Sequence, residues 1–376
     1  MPKLDHHREA YDDETLDKLE LYEKYLQYWL PVFLNDTKLG ITRIQIFDFF
    51  AGPGQDVGGV KGSPLRALDA INEALEREHK NEPEIHVFLN ELDNCKSLEL
   101  KNLCSQHPVC KRVKVHYLNE YCATAFDKWL PYLYYEETGR KVAANLIFLD
   151  QSGTKEVNEQ IFKSIVAAPR TDFMFFIASS YVLRFRGQNL SGTPLKESDL
   201  ANISMKTCHR MVCDAYRRWL PSNNTEYYLA PFSLEKDNGA NVYGLIFGTA
   251  HIAGIDKFLT ISWAKDSLRG EANYDIDGEN IDIDKPLLFA EWNIPSKITV
   301  FEKELEKKIL NGDLTTNIAI YKYAIKQGFL AEHAKTAVKK LISEKKLPVQ
   351  KVNISYSSCG HISSKPTQII LPGASK

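Results

Sequence analysis

Residues 46 to 64 read IFDFFAGPGQDVGGVKGSP: an apolar run carrying Asp48, then Gly52, Gly54, Gly58 and Gly59, then Lys61 and Ser63-Pro64. Glycines let a backbone turn tightly and let a ligand lie against main-chain amides, and a helix that follows offers its free N–H groups to the same ligand. The stretch can cradle a small polar molecule, or it can merely join two elements. It is not a triphosphate loop. Gly54 and Gly59 have the right gap, but Val60 stands where the lysine should follow at once. Three more apolar runs end in chemistry-bearing residues. FLNELD brings Glu91 and Asp93, where a carboxylate can accept both hydroxyls of a ribose. LNEY brings Asn119 and Glu120, suited to the amino group of a base. LIFLDQSG brings Asp150 and Gln151. Each of these acids can equally cap a helix, and Gln151 can bond either a base edge or its own loop. Their succession after the glycine loop points to a nucleoside ligand.

Such residues converge only if their strands lie side by side. Leu16, Leu19, Tyr22, Leu26, Trp29 and Phe33 recur at three- and four-residue steps, which predicts a helix over 14–34. Strands follow at 43–49, 84–90, 112–118, 145–150 and 172–178. Between and after them helices are expected at 63–78, 94–106, 122–134, 155–167 and 196–219, the first capped by Ser63. This alternation specifies a parallel sheet covered on both faces. EYYLAPFSL and NVYGLIFGTA, joined by the turn-rich EKDNGA, form an antiparallel hairpin instead.

Five parallel strands closed by a hairpin resemble class I S-adenosylmethionine-dependent methyltransferases. The expected fold is thus α/β, a doubly wound mixed sheet, with S-adenosylmethionine as cofactor over Asp48, Gly52 and Gly54, Glu91 at the ribose, Asn119 and Glu120 near the adenine, and Asp150 and Gln151 on the catalytic side. Amino-directed methyltransferases carry an Asp/Asn-Pro-Pro-aromatic tetrad at this last position. Here Asp150-Gln-Ser-Gly lacks the prolines and the aromatic. ASSYVLRFRG (178–187) follows the fifth strand, so Ser179, Ser180, Tyr181, Arg184 and Arg186 either line a substrate entrance or are surface residues.

FDFFAGPG, GSPL, FLDQSG, TDFMFFIASSYVLRF and YGLIFGTAHIAGIDKFL together resemble the three-Cys-motif partner (TcmP) family over roughly residues 14 to 350. The resemblance implies a methyltransferase-type fold and a dedicated protein partner of radical or iron–sulfur type that carries the three cysteines. It supplies no established reaction. The seven cysteines here have no metal-ligand spacing: Cys95, Cys104, Cys110 and Cys122 are separated by eight, five and eleven residues. No metal site is expected.

Charge divides the chain. From Lys297 onward there are 14 Lys, no Arg and 6 acidic residues, a balance of +8 against −10 for the rest. The expected organisation is an N-terminal helical segment (1–40), a methyltransferase-type domain (41–277), a linker (278–296) and a basic module (297–376). Three helical patterns and then the strand-like LPVQKVNISYSS make the module winged-helix-like. Its third helix carries Lys335, Lys339 and Lys340, with Lys345 and Lys346 at its exit, either as a solvated face or as a row for a nucleic-acid backbone. No apolar run reaches the eighteen residues of a membrane span, and the polar N-terminus and odd cysteine count suggest a reduced, cytoplasmic setting.

Overall fold

Strands buried on both faces must be covered by helices on both sides, and the central strands here are buried nearly end to end. The computed structural model describes residues 10–151, 156–184, 193–200, 203–222, 226–236, 241–282, 285, 293–361 and 363–371. It divides into two units, Met1–His251 and Ile252–Lys376.

The first unit is built on β1 (Arg43–Asp48), β2 (Glu84–Asn90), β3 (Lys114–Leu118), β4 (Ala143–Asp150), β5 (Thr171–Ile177), β6 (Tyr228–Lys236) and β7 (Asn241–Thr249). Their order in the sheet is β3-β2-β1-β4-β5-β7-β6. Strands β1 to β5 pair in parallel, and β7 inserts antiparallel between β5 and β6. This is the class I methyltransferase arrangement. Its helices are α1 (Asp13–Asn35), α2 (Ser63–Glu76), α3 (Asn94–Gln106), α4 (Cys122–Leu133), α5 (Glu159–Ala167), α6 (Ser179–Arg184) and α7 (Cys208–Tyr216).

Aromatic stacking fixes the layers. Phe47 stacks on Phe88 at 4.4 Å, and Phe88 on His116 at the same spacing, while Trp129 of α4 meets Phe49 edge-on. Helix α1 belongs to this unit, because Tyr22 stacks on Phe148 and Tyr25 bonds the buried Asp172.

Three expected elements differ. Ser63 is not the cap of α2, since Gly62 holds that position and the Ser63 hydroxyl turns to Asp48. The 196–219 helix is broken: a 3₁₀ turn at Glu197–Leu200 precedes α7, and a second, Arg217–Trp219, follows it. Strand 347–358 does not form. Side-chain amides take the place of a ladder there: Gln350 exchanges bonds with the N–H and C=O of Ile370, and Asn317 bonds Asn353 and Thr367. Ser355 then caps a helical turn, Tyr356–Cys359. The hairpin tip at 237–240 lies outside the described residues.

The second unit contains α8 (Ile252–Lys265), α9 (Ser296–Leu310), α10 (Asn317–Lys326) and α11 (Ala331–Ser343). Helix α8, expected in the first domain, falls here because Trp263 donates to the Gly328 carbonyl and Tyr321 bonds Asp256. The acidic 275–279 stretch closes around the buried Arg269 guanidinium, which meets Asp275, Asp277 and Glu279. No helix among the described residues is long and apolar enough to cross a membrane.

Gly244 on β7 faces the fully buried His209 ring, whose atoms lie 2.2 Å from where a Cβ would stand. His209 is held on both sides, by Ser179 and by the Leu245 carbonyl, so it cannot retreat. Gly244→Ala is expected to destabilise the protein by about 3 kcal/mol in denaturant unfolding, whereas Gly278→Ala, with open space and only an unfavourable φ, should cost about 1 kcal/mol.

Candidate site at the carboxyl ends of the strands

Parallel strands that end at one level bring their last residues into a row. The buried Asn90 amide enforces that level: it donates to the Phe49 carbonyl after β1 and to the Glu120 carbonyl after β3, and it accepts from the Glu120 amide. The Glu91 carboxylate makes the next tie, accepting from the Gly52 amide at 2.9 Å and from Asp93 at 2.7 Å. Asp93 caps α3, which accounts for its place in the sequence. Asn119 reaches back to the carbonyls of Glu91 and Leu92. Glu120 pairs with Lys128 of α4. Leu92 and Tyr121, both large and apolar, stay exposed beside these groups.

The glycine stretch does two separate things. Gly52 and Gly54 adopt the positive φ of the tight turn after β1. Residues 55–61 then leave and return as a small excursion, closed where the Gly62 amide bonds the Gly54 carbonyl at 2.8 Å and where Gln55 bridges Lys61. Its amides wrap a side chain of the protein itself: the Asp56 carboxylate accepts from Gly58, Val60 and Tyr11. Only the first turn, with Gly52 and Gly54, remains in the row of strand ends.

Asp48 is buried at the end of β1, accepting from the Ser63 hydroxyl at 2.6 Å and the Phe50 amide at 3.1 Å. Burial raises its carboxyl to about 7, against the pull of those two hydrogen bonds. Asp150 lies on the adjacent strand β4, two residues beyond Phe148, the partner of Asp48, and its Oδ2 is 2.5 Å from the ammonium of Lys18, a residue of α1. Gln151 is buried, with Oε1 spent on the amides of Glu156 and Val157; its Nε2 has no partner among the described residues. The structure thus favours the local role for the Gln151 carbonyl oxygen.

Beyond β5, Ser179 and Ser180 are buried, Tyr181 and Arg184 are exposed, and Arg186 lies outside the described residues. In the second unit, Ala334, Ala337, Val338 and Leu341 of α11 turn inward as expected, leaving the lysines outside. Lys340 pairs with Glu302, and Lys346 with Glu306 and Glu344. Lys335, Lys339 and Lys345 make no ion pair among the described residues. Lys345 sits at φ 59 just past α11, a place filled by Gly312 and Gly328 after α9 and α10.

Sequence reasoning missed Asn90, Asp56, Glu14 and Lys18. A signal existed for the last two: a glutamate and a lysine four residues apart lie on the apolar stripe of α1, where both are buried. Among the described residues, no cluster of His, Cys, Asp or Glu could hold a metal ion.

The strand order gives the first unit the class I methyltransferase fold. A family model described as a GMT-like wHTH domain matches residues 272–352, inside the second. Among solved structures, the chain is similar to the B. subtilis M1A22 tRNA methyltransferase TrmK, at 14% identity, 89% of this chain, 96% of that chain and TM-score 0.28. It is also similar to the SAH-bound Podospora anserina methyltransferase PaMTH1, at 12%, 64%, 89% and 0.26, and to a geranyl diphosphate methyltransferase solved with GPP and sinefungin, at 11%, 60%, 76% and 0.29. None of the curated proteins matches the sequence at a significant level.

The Asp48 environment sets a pH dependence. A folded-state carboxyl near 7, against 3.8 when exposed, holds its proton across a range where the unfolded chain has lost it. The stability this contributes is complete below about pH 4 and lost as pH rises through 7. Asp48→Asn should therefore unfold with a flatter pH dependence and exceed the wild type by roughly 2–4 kcal/mol at pH 8, read by urea titration at pH 5 and 8.

Proposed function

We propose that the first unit binds S-adenosylmethionine, with its nucleoside laid across the ends of β3, β2 and β1, and that the protein is a methyltransferase-like component acting on nucleic acid together with a three-Cys-motif partner. One observation carries the cofactor reading: Glu91, the Gly52–Gly54 turn and the Asn119–Glu120 pair stand on neighbouring strand ends, with Leu92 and Tyr121 exposed beside them. Carboxylate oxygens suit ribose hydroxyls, and exposed apolar side chains suit the faces of a base. When bound, the cofactor supplies an electrophilic methyl group. The chain's part is to hold the ribose through Glu91 and to shape the edge at Asp48 and Asp150.

The nucleic-acid part rests on the second unit. Helix α11 buries its apolar stripe and presents Lys335, Lys339 and, at its exit, Lys345, free of internal ion pairs among the described residues. Such a row binds phosphates mainly by releasing counterions. The partner is supported by the sequence resemblance alone. A non-catalytic scaffold that presents nucleic acid to this partner is the second reading, favoured by one feature: the Gln151 oxygen is spent on the amides of Glu156 and Val157, and Asp150 is paired with Lys18.

Calorimetry with S-adenosylhomocysteine should give saturable binding that Glu91→Ala weakens at least tenfold; a chain that binds neither this compound nor S-adenosylmethionine contradicts the cofactor reading. In the full chain, joint replacement of Lys335, Lys339 and Lys345 by glutamate should reduce low-salt binding of DNA or RNA by tenfold or more and flatten its salt dependence. Lys340→Glu, which breaks an internal pair with Glu302, should act mainly on stability. Unaltered nucleic-acid binding by the triple variant contradicts the role given to α11.

A further inference from the structure

The N-terminal stretch Tyr11–Lys18 crosses the same edge. The Tyr11 amide bonds Asp56 at 2.8 Å, Asp12 pairs with Lys236 at the end of β6 at 2.6 Å, and Lys18 pairs with Asp150 at the end of β4. Lys18 is the most deeply placed of these, its side chain 7% exposed and its ammonium also 4.3 Å from the centre of the Phe176 ring. One turn before it, Glu14 is buried with Oε2 lacking any partner among the described residues. A buried, unpartnered carboxyl oxygen is an unfavourable feature that a rearrangement could relieve.

Strand spacing says what should meet Asp150. Neighbouring strands lie about 4.8 Å apart, so the ends of β3, β2, β1 and β4 span about 14 Å. A nucleoside with its base at β3 and ribose at β2 directs its 5′ substituent over the Gly52–Gly54 turn toward Asp48 and Asp150. In S-adenosylmethionine that substituent ends in an α-ammonium group, and a carboxylate is the natural counterion for it. In this structure the counterion is already occupied, by the ammonium of Lys18.

We propose that Lys18 is an internal stand-in for the ligand's ammonium group, and that on binding it moves from Asp150 to Glu14. The move suits a helix, since residues four apart are neighbours on its surface and Glu14 precedes Lys18 by that step. Burial raises the Glu14 carboxyl to about 7, with Asp12 adding to the shift and Lys18 and Lys236 opposing it. Arrival of the Lys18 ammonium would favour its ionised form. The latch keeps the α-amino-acid subsite closed until a ligand carrying its own cation competes for it, while Tyr22 on Phe148 and Tyr25 on Asp172 keep the rest of α1 in place.

The inference rests on the nucleoside reading, and two probes separate them: S-adenosylhomocysteine, which carries the ammonium, and 5′-methylthioadenosine, which does not. In calorimetry on the full chain, Lys18→Met should bind S-adenosylhomocysteine about tenfold more tightly than wild type and methylthioadenosine within twofold of it. Glu14→Gln, which removes the receiving carboxylate, should weaken S-adenosylhomocysteine several-fold and leave methylthioadenosine unchanged. If Lys18→Met loses affinity for S-adenosylhomocysteine, the lysine serves the ligand's carboxylate and the latch is wrong; parallel shifts for both probes also overturn it. Should Lys18→Met fail to fold, Asp150→Asn decides: it should abolish the preference for S-adenosylhomocysteine over methylthioadenosine, and a retained preference overturns the proposal. Binding of neither probe by any form removes the nucleoside site itself, and the latch with it.

Discussion

The carboxamide of Asn90 is bonded to the chain beyond both neighbouring strands, and the candidate site depends on that tie. A parallel sheet fixes which strands are neighbours but leaves the loops beyond them free to splay. One buried amide spends its donors on the carbonyls of Phe49 and Glu120 and accepts from the Glu120 amide, so the first three strand ends cannot separate without leaving polar groups unpaired. Glu91 adds the bond to Gly52, and Asn119 the bonds back to the β2 loop. The row of candidate ligand groups is therefore held by hydrogen bonds within the protein itself.

The same row is crowded with charge. Burial chiefly, with the nearby Asp150 and Glu91 carboxylates adding to it, raises the Asp48 carboxyl, and the structure gives each of the three acids a different setting. Asp48 is buried and bonded to Ser63, Glu91 is bonded to main-chain amides, and Asp150 is neutralised by Lys18. Three acids along one edge thus have three distinct environments. A dicationic or zwitterionic ligand would find only one of them, Asp150, already carrying a positive partner.

Much of this was legible in the sequence because its signals are periodic. Strands β2 and β4 to β7, and helices α1 to α4, follow from apolar spacing and glycine or proline punctuation, and the order of alternation gives the parallel sheet. What failed depended on side chains acting as backbone. LPVQKVNISYSS alternates like a strand, yet Gln350 and Asn317 supply the bonds that a neighbouring strand would have made. Ser63 has the composition of a cap but answers to Asp48, fifteen residues earlier. Gly58 and Gly59 look like part of a ligand cradle, and instead they fold around Asp56. The strand ends were found by position; the ties between them, above all Asn90, were not, because a single buried amide has no period.

The central claim is that the ends of β1 to β4 form one elongated site with the base at β3 and the amino-acid tail at β4. A crystal structure of the full chain grown with S-adenosylhomocysteine tests it most directly. The account predicts ribose hydroxyls within hydrogen-bond distance of the Glu91 carboxylate, the adenine between Leu92 and Tyr121, and the ligand's ammonium on Asp150 with Lys18 turned to Glu14. A ligand bound elsewhere, or one lying on these strand ends in the opposite direction, would contradict it.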